Sequence, residues 1–169
     1  AASPAAKPVR ITFVYSDPNI AGTVQAYNNL LEERPDLRNQ VSLTFLTESL
    51  SDEVKTADVT GADVLVLDVM NQQMLDRFDT ARKVDVLSSV RRRGKIVAVG
   101  SGVLPKEHYL DMGVVWDERA QAFWTNSGLS NRIGLLKFAL SEAGIKGLEV
   151  PQPQPALDFG YYYPDGKSG

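Results

Sequence analysis

Residues 61–70, GADVLVLDVM, constrain the fold more than any other part of the chain. Their centre is a short apolar run with several β-branched valines, and a polar Asn-Gln-Gln sequence follows it. A run this short and apolar, bounded by glycine and polar residues, predicts a β-strand that is buried on both faces. Strands of this kind belong to parallel sheets with helices above and below.

The rest of the chain predicts an alternation of strands and helices. Strands are predicted at residues 9–15, 41–46, 64–69 and 95–99, with a brief fifth strand at 114–116. Helices are predicted at residues 20–33, 50–57, 72–90, 118–124 and 129–143. Such alternation with short connections implies a parallel sheet with right-handed crossovers. We therefore expect a flavodoxin-like, doubly wound α/β sheet of four or five strands in the order 2-1-3-4-5.

The two ends of the chain differ from this α/β region, which spans residues 9–149. Residues 1–8, AASPAAKP, are small and lack periodicity, so they predict a flexible leader. Their composition is compatible with the start of a mature exported protein after a cleaved signal peptide. It is equally compatible with a chain that was cut at this point from a longer polypeptide. Residues 150–169 contain four prolines and an aromatic run, which predict an extended tail that leads to a missing domain.

Composition excludes several functional classes. The net charge of -3 and a pI of about 5.2 argue against nucleic-acid binding. No run approaches the roughly 18 apolar residues of a membrane span, and the absence of cysteine rules out thiolate sites and cysteine nucleophiles. The single histidine, His108, cannot form a catalytic zinc site alone, and we expect it to be exposed in a loop. We predict no metal site and no catalytic residue.

Polar residues follow three of the predicted strands, at the sheet edge where doubly wound folds bind ligands. The candidate ligand-binding residues are Ser16, Asp17, Asn19, Asp68, Asn71, Ser101 and Gly102. Asp68 stands out because a carboxylate at the end of a buried strand needs polar partners. The alternative is that these residues only cap helices and turn the chain. The glycine turn is neither a Walker loop nor a GxGxxG motif, so its specificity is weak.

Two further patterns have a functional and a structural interpretation. Asp17 and Asp68 on adjacent strands suggest Mg²⁺-assisted phosphoryl chemistry, as in response regulators, but the lysine expected after strand five is missing. A hydrolase or phosphotransfer enzyme using Asp17, Asp68 or Ser101 is therefore disfavoured. Residues 91–93 are three arginines that suit the negative end of a helix dipole, with Gly94 as a left-handed cap. We prefer this interpretation to a phosphate- or partner-binding patch.

The order of several weak motifs resembles the amino-terminal region of the cobaltochelatase large subunit (CobN type), which is related to the magnesium-chelatase H subunit. The motifs are the strand with an acidic end at residues 63–70, Gly100-Ser101-Gly102, the segment AFWTNSGLSN at 122–131, the leucine-rich helix at 133–140 and the proline-rich tail at 151–164. The resemblance covers nearly all of residues 9–165. The chain departs from the family at 123–124 and 126–128, where an aromatic pair and two glycines are more typical, and the family members are several times longer.

The resemblance implies that the whole complex inserts cobalt or magnesium into a tetrapyrrole, a corrinoid or porphyrin, as in cobalamin biosynthesis, while partner AAA+ subunits hydrolyse ATP. The chelation residues of that family lie mainly beyond this region. This domain is therefore expected to be non-catalytic, to hold no cofactor, and to meet the rest of the large subunit, the AAA+ subunits and the tetrapyrrole. Trp124, Tyr161, Tyr162 and Tyr163 are predicted to contact the missing domain.

The resemblance implies a cytoplasmic protein, whereas a cleaved signal peptide before Ala1 would imply a periplasmic one. The competing hypothesis is a stand-alone or periplasmic flavodoxin-like module. Such a module would bind a small ligand or a tetrapyrrole at the strand ends.

Overall fold

A computed structural model describes residues 7–100 and 105–156. Strands and helices alternate along the chain. The elements are β1 (Val9–Val14), α1 (Pro18–Glu33), β2 (Val41–Leu46), α2 (Thr56–Thr60), β3 (Val64–Asp68), α3 (Gln72–Arg82), α4 (Val86–Arg91), β4 (Lys95–Val99), α5 (Lys106–Asp111), α6 (Glu118–Asn126) and α7 (Gly128–Glu142). Single 3-10 turns lie at Pro35–Asn39 and Val69–Asn71. None of the helices in the described ranges is long and apolar enough to cross a membrane.

The four strands form a parallel sheet in the order β2-β1-β3-β4. This arrangement confirms the predicted flavodoxin-like α/β fold. The predicted fifth strand is reduced to a single parallel bridge between Val115 and Val97. The chain leaves the sheet there because the Asp117 carboxylate caps α6, accepting hydrogen bonds from the amides of Arg119 (2.7 Å) and Ala120 (3.2 Å).

Two layers of helices enclose the sheet. α1, α6 and α7 cover one face, and α2, α3, α4 and α5 cover the other. Successive residues of β3 point to opposite layers, so that Val64 and Val66 pack with the first and Leu65 and Leu67 with the second. Every residue of β3 is buried. The prediction of a strand buried on both faces is confirmed.

The long helix predicted at residues 72–90 is wrong in one respect, because two helices, α3 and α4, replace it. The break is at Lys83, which takes a left-handed conformation (φ 58°, ψ 46°). Two carboxylates then start α4: Asp79 accepts a hydrogen bond from the Val86 amide, and Asp85 accepts one from the Ser88 amide, each at 3.1 Å. The apolar periodicity continues across the break because both helices pack on the same core.

The helix predicted at residues 50–57 is also wrong, because this segment forms turns and α2 begins only at Thr56. The Arg82 guanidinium donates hydrogen bonds to the carbonyls of Ser51 (2.8 Å) and Asp52 (3.1 Å). A helix would use these carbonyls for its own backbone, so a side chain distant in sequence replaces the helical bonds. His108, predicted in a loop, is exposed as expected but lies in α5.

Gly94 does not adopt the left-handed conformation predicted for it, whereas Gly144 does, with φ 97°. Glycine is required at position 94 for another reason. A Cβ there would lie 2.3 Å from the Asp63 carbonyl oxygen, so the turn before β4 touches the backbone before β3. The arginines at 91–93 are exposed, and Arg91 donates to the Met112 carbonyl oxygen.

Replacing Gly94 by alanine will destabilise the protein by about 1–3 kcal/mol, because the new methyl group meets rigid backbone and not a flexible side chain. Urea unfolding measures the loss. Arg93→Ala is the matched control, since this neighbouring side chain is exposed and its removal should cost no more than about 0.5 kcal/mol. Equal stability of the two variants would contradict the close backbone contact.

The segment after α7 retraces the length of that helix. At the amino edge of the sheet, the Arg34 guanidinium donates to the carbonyls of Lys146 and Gly147, at 3.4 and 3.3 Å. The chain then runs without helix or strand to Gln154, which reaches Asn131 near the start of α7. An extended chain covers about 3.3 Å per residue and a helix about 1.5 Å, so this segment is long enough to return to the carboxyl edge.

The buried Asn131 side chain fixes the segment by a reciprocal contact. Its Oδ1 accepts the Gln154 amide at 2.8 Å, and its Nδ2 donates to the carbonyls of Gln154 (3.1 Å) and Ser127 (2.7 Å). Asn126 donates a further bond to the Gln154 carbonyl at 2.9 Å. We call this set of bonds the asparagine clasp. The aromatic run that was predicted to contact a missing domain, Tyr161, Tyr162 and Tyr163, lies outside the described residues.

Asn131→Ala will release Gln154, because it removes both a donor and an acceptor that are partly buried. We expect amide hydrogen exchange at Gln154 to accelerate by about tenfold or more. Asn126→Ala is the control, since it removes only one exposed bond to the same residue. The clasp does not fix the tail if Gln154 exchanges at the wild-type rate in the Asn131 variant.

Candidate functional site

The carboxyl ends of β1, β3 and β4 meet at one edge of the sheet, as predicted. Among the candidate residues, Ser16 and Asp17 lie between β1 and α1, and Asn19 lies in the first turn of α1. Asp68 ends β3, and Asn71 lies in the 3-10 turn that follows it. Ser101 and Gly102 lie outside the described residues. Tyr15 and Asp68 are each one position beyond the last β1–β3 pair, Val14 and Leu67, and thus lie side by side on the face covered by α7.

Asp17 and Asp68 do not form a pair. The Asp17 carboxylate accepts a hydrogen bond from the Ser49 hydroxyl at 2.7 Å, and hydroxyls of Thr47 and Ser49 hold the pKa of Asp17 below its usual value. Asp68 instead accepts bonds from the Met70 amide (3.1 Å) and the Asn71 side chain (2.9 Å). Within the described ranges, no three acidic or histidine residues are grouped to hold a metal ion.

Asp68 is 7% exposed, and its burial raises the pKa of the carboxyl group. The hydrogen bonds from Met70 and Asn71 oppose this shift but do not cancel it. Because the carboxylate is more difficult to ionise in the folded protein than in the unfolded chain, ionised Asp68 lowers the stability at neutral pH. The buried charge of Asp68 is therefore destabilising.

Asp68→Asn removes this cost, and the amide oxygen can still accept the Met70 hydrogen bond. We expect the variant to be more stable than wild type at pH 7. The difference should shrink as the pH falls through the raised pKa of Asp68 toward the usual 3.8, since the wild-type carboxyl then becomes protonated. Urea unfolding at a series of pH values measures both proteins.

Asp17→Asn is the matched control, because its expected change in stability at pH 7 has the opposite sign. The folded pKa of Asp17 is lowered, so its contribution stabilises the protein above the usual 3.8 and disappears in acid. That variant should be less stable than wild type at pH 7 and approach it at low pH. A pH-independent loss of stability in Asp68→Asn would show that burial does not control this carboxyl group.

A cavity of about 160 Å³ lies beside this edge, between α1, α6 and α7. Apolar side chains form part of its wall, and polar side chains are grouped beside them. The lining residues are Phe13, Asn19, Thr23, Phe123, Trp124, Ser127, Arg132, Leu135 and Leu136. Of these, the sequence identified Asn19 as a ligand residue and Trp124 as an interdomain contact. The Trp124 ring is partly exposed and stacks on Tyr15 at 5.9 Å, and its contact with a further domain stays a prediction.

Arg132 supplies the positive charge of the cavity. Its guanidinium donates a hydrogen bond to Asn19 Oδ1 at 3.1 Å, and no carboxylate in the described part of the chain pairs with it. The side chain lies against α1 at Gly22, where an added Cβ would be 2.7 Å from Arg132 Nε. Glycine at position 22 therefore leaves the space that lets the guanidinium reach the cavity wall.

The Tyr15 hydroxyl is the second unusual group. Tyr15 is 1% exposed, and its hydroxyl has no hydrogen-bond partner among the described residues. Burial strongly raises the pKa of Tyr15, while the nearby Thr23 hydroxyl and the Arg132 charge lower it in part. The Thr23 hydroxyl approaches the phenol without reaching hydrogen-bond geometry. Tyr15 is thus a neutral phenol whose hydroxyl lies beside two groups that line the cavity.

Ser127, between α6 and α7, has a positive φ of 56° with ψ -163°. A non-glycine residue in this conformation costs about 1–3 kcal/mol, and such residues occur often at binding sites. Its side chain does not cap α7. The strain therefore has no compensating hydrogen bond from the Ser127 side chain to the helix.

Sequence reasoning missed Tyr15, Thr23, Ser127 and Arg132. Tyr15 reads as the last residue of a strand, and Arg132 reads as an ordinary cation on an amphipathic helix. Only the packing of α1 against α7 brings them together. No local signal identifies them.

Comparisons with protein-family models, curated proteins and solved structures find no match to this chain.

Proposed function

We propose that residues 9–149 form a non-catalytic amino-terminal domain of a CobN-type tetrapyrrole metal chelatase. The sequence resemblance motivates the proposal, and the asparagine clasp is the observation that supports it best. The clasp joins two of the motifs that carry the resemblance, because Asn126 and Asn131 belong to the segment at 122–131 and Gln154 belongs to the proline-rich tail. Two weak motifs, distant in sequence, thus form one structural unit.

This unit also defines where the chain leaves the domain. Gln154 is held near the start of α7, next to Ser127 and Arg132 of the cavity. The described part of the tail thus reaches the carboxyl edge of the sheet. In the proposed large subunit, this edge and the partly exposed Trp124 would face the rest of the chain and help to cover the tetrapyrrole or contact an AAA+ subunit.

The division of labour follows from this placement. Cobalt or magnesium and the corrinoid or porphyrin are substrates of the whole complex, and ATP belongs to the AAA+ subunits. The domain positions neighbouring parts in the cytoplasm and supplies no catalytic residue. The separate partners of Asp17 and Asp68 are consistent with a non-enzymatic role.

A second function is a stand-alone or periplasmic module that binds a small ligand or tetrapyrrole. The cavity favours this alternative, because Arg132 lines it and the unpartnered Tyr15 hydroxyl lies beside Thr23 and Arg132 of its wall. The two proposals differ in the size of the native polypeptide and in its partners.

Immunoprecipitation from source cells with an antibody against residues 9–149 tests the main proposal. We expect a polypeptide several times heavier than 18.5 kDa, with chelatase sequence after this domain and AAA+ subunits co-precipitating when ATP is present. An antibody against an unrelated cytoplasmic protein is the control. A native polypeptide that ends near residue 169 would contradict the chelatase domain and favour the separate module.

A further inference from the structure

We propose that the cavity between α1, α6 and α7 binds the carboxylate of a small apolar or aromatic acid. Arg132 provides the counter-charge, and the Thr23 and Tyr15 hydroxyls provide hydrogen bonds. This inference does not depend on the chelatase proposal, because it follows from the cavity alone.

The polar wall of the cavity carries the positive charge of Arg132, together with side chains that can donate hydrogen bonds. The guanidinium carries five N–H groups, and Asn19 Oδ1 is the one acceptor that it meets among the described side chains. Among the described residues, no carboxylate lines the cavity. Asp68, on the neighbouring strand, is occupied by the Met70 amide and the Asn71 side chain. A negatively charged hydrogen-bond acceptor therefore suits this wall best, because the Arg132 guanidinium has no carboxylate partner among the described residues.

Tyr15 gives independent support for a ligand. A buried hydroxyl without a partner costs about 1–3 kcal/mol, and the fold retains one at Tyr15. Thr23 and Arg132, the two polar groups that lower the pKa of Tyr15, both line the cavity. An oxygen atom bound between them would give the Tyr15 hydroxyl the acceptor that the protein lacks.

The apolar wall and the charge select the class of oxyanion. Phe13, Phe123, Leu135 and Leu136 form the apolar wall, and Trp124 adds an aromatic surface. One guanidinium balances one negative charge, so a carboxylate on an apolar body suits the cavity better than a doubly charged phosphate. A cavity of about 160 Å³ equals about five water molecules at ~30 Å³ each, which is room for a small acid or for one carboxylated side chain of a larger molecule.

Benzoate and inorganic phosphate are the probes that test the assignment. The chain has two tryptophans, so Trp116→Phe leaves Trp124 as the single fluorescent reporter, and the substitution keeps a ring that can stack on Tyr109. We expect benzoate to change Trp124 fluorescence with saturation, and added NaCl to weaken binding. Phosphate should bind at least tenfold more weakly.

Variants at two positions define the contacts. Arg132→Gln should weaken benzoate binding by about ten- to a hundredfold, since it removes a charge-assisted hydrogen bond. Lys137→Gln, the same change of charge on the same helix but outside the cavity, should leave the Kd unchanged. Tyr15→Phe should weaken binding severalfold and yet leave the unliganded protein as stable as wild type or more stable, because its hydroxyl has no partner.

Thermal unfolding without ligand establishes that each variant is folded, and Arg132→Lys replaces Arg132→Gln if the latter is not. In that case, loss of binding despite the retained charge would still identify the guanidinium fork. The proposal is overturned if benzoate does not bind. It is also overturned if phosphate binds as tightly as benzoate, or if Arg132→Gln and Lys137→Gln weaken binding equally.

Discussion

The burial of β3 between two helical layers is the constraint on which the structure depends. All five of its residues are buried, so neither face of the strand is open to water. Its backbone groups must pair with strands on both sides, which β1 and β4 provide. The sheet order, the separation of the helices into two layers and the meeting of strand ends at one edge all follow from this central position.

The same central position explains why polar groups at the strand ends are costly and informative. β1 and β3 end together, so Tyr15 and Asp68 lie next to each other on the face that α7 covers. Asp68 finds partners in the turn that follows it, whereas the Tyr15 hydroxyl finds none in the described chain. The Tyr15 hydroxyl lies beside Thr23 and Arg132 of the cavity wall, whereas the partners of Asp68 lie outside that wall. Arg132 and Tyr15, and not Asp68, are therefore the candidate ligand-binding groups.

Much of the fold was predictable because the apolar sequences of β3 and its neighbours themselves indicate buried strands. The failures arose where distant side chains decide the local conformation. The Arg82 guanidinium hydrogen-bonds to a carbonyl that the predicted helix at 50–57 would have used. The carboxylates of Asp79 and Asp85 bind the first amides of α4 and so begin a new helix after Lys83. The polar strand ends could be located, but the cavity residues could not, because Arg132 reaches Asn19 from more than a hundred positions away.

The return of the chain along α7 separates the two points at which neighbours can be attached. β1 starts at the amino edge of the sheet, and the asparagine clasp holds Gln154 at the opposite edge. Segments joined directly at Val9 and at Ala156 would therefore start from opposite edges of the sheet. A tensile load applied between these two points would pass through the hydrogen bonds of the asparagine clasp.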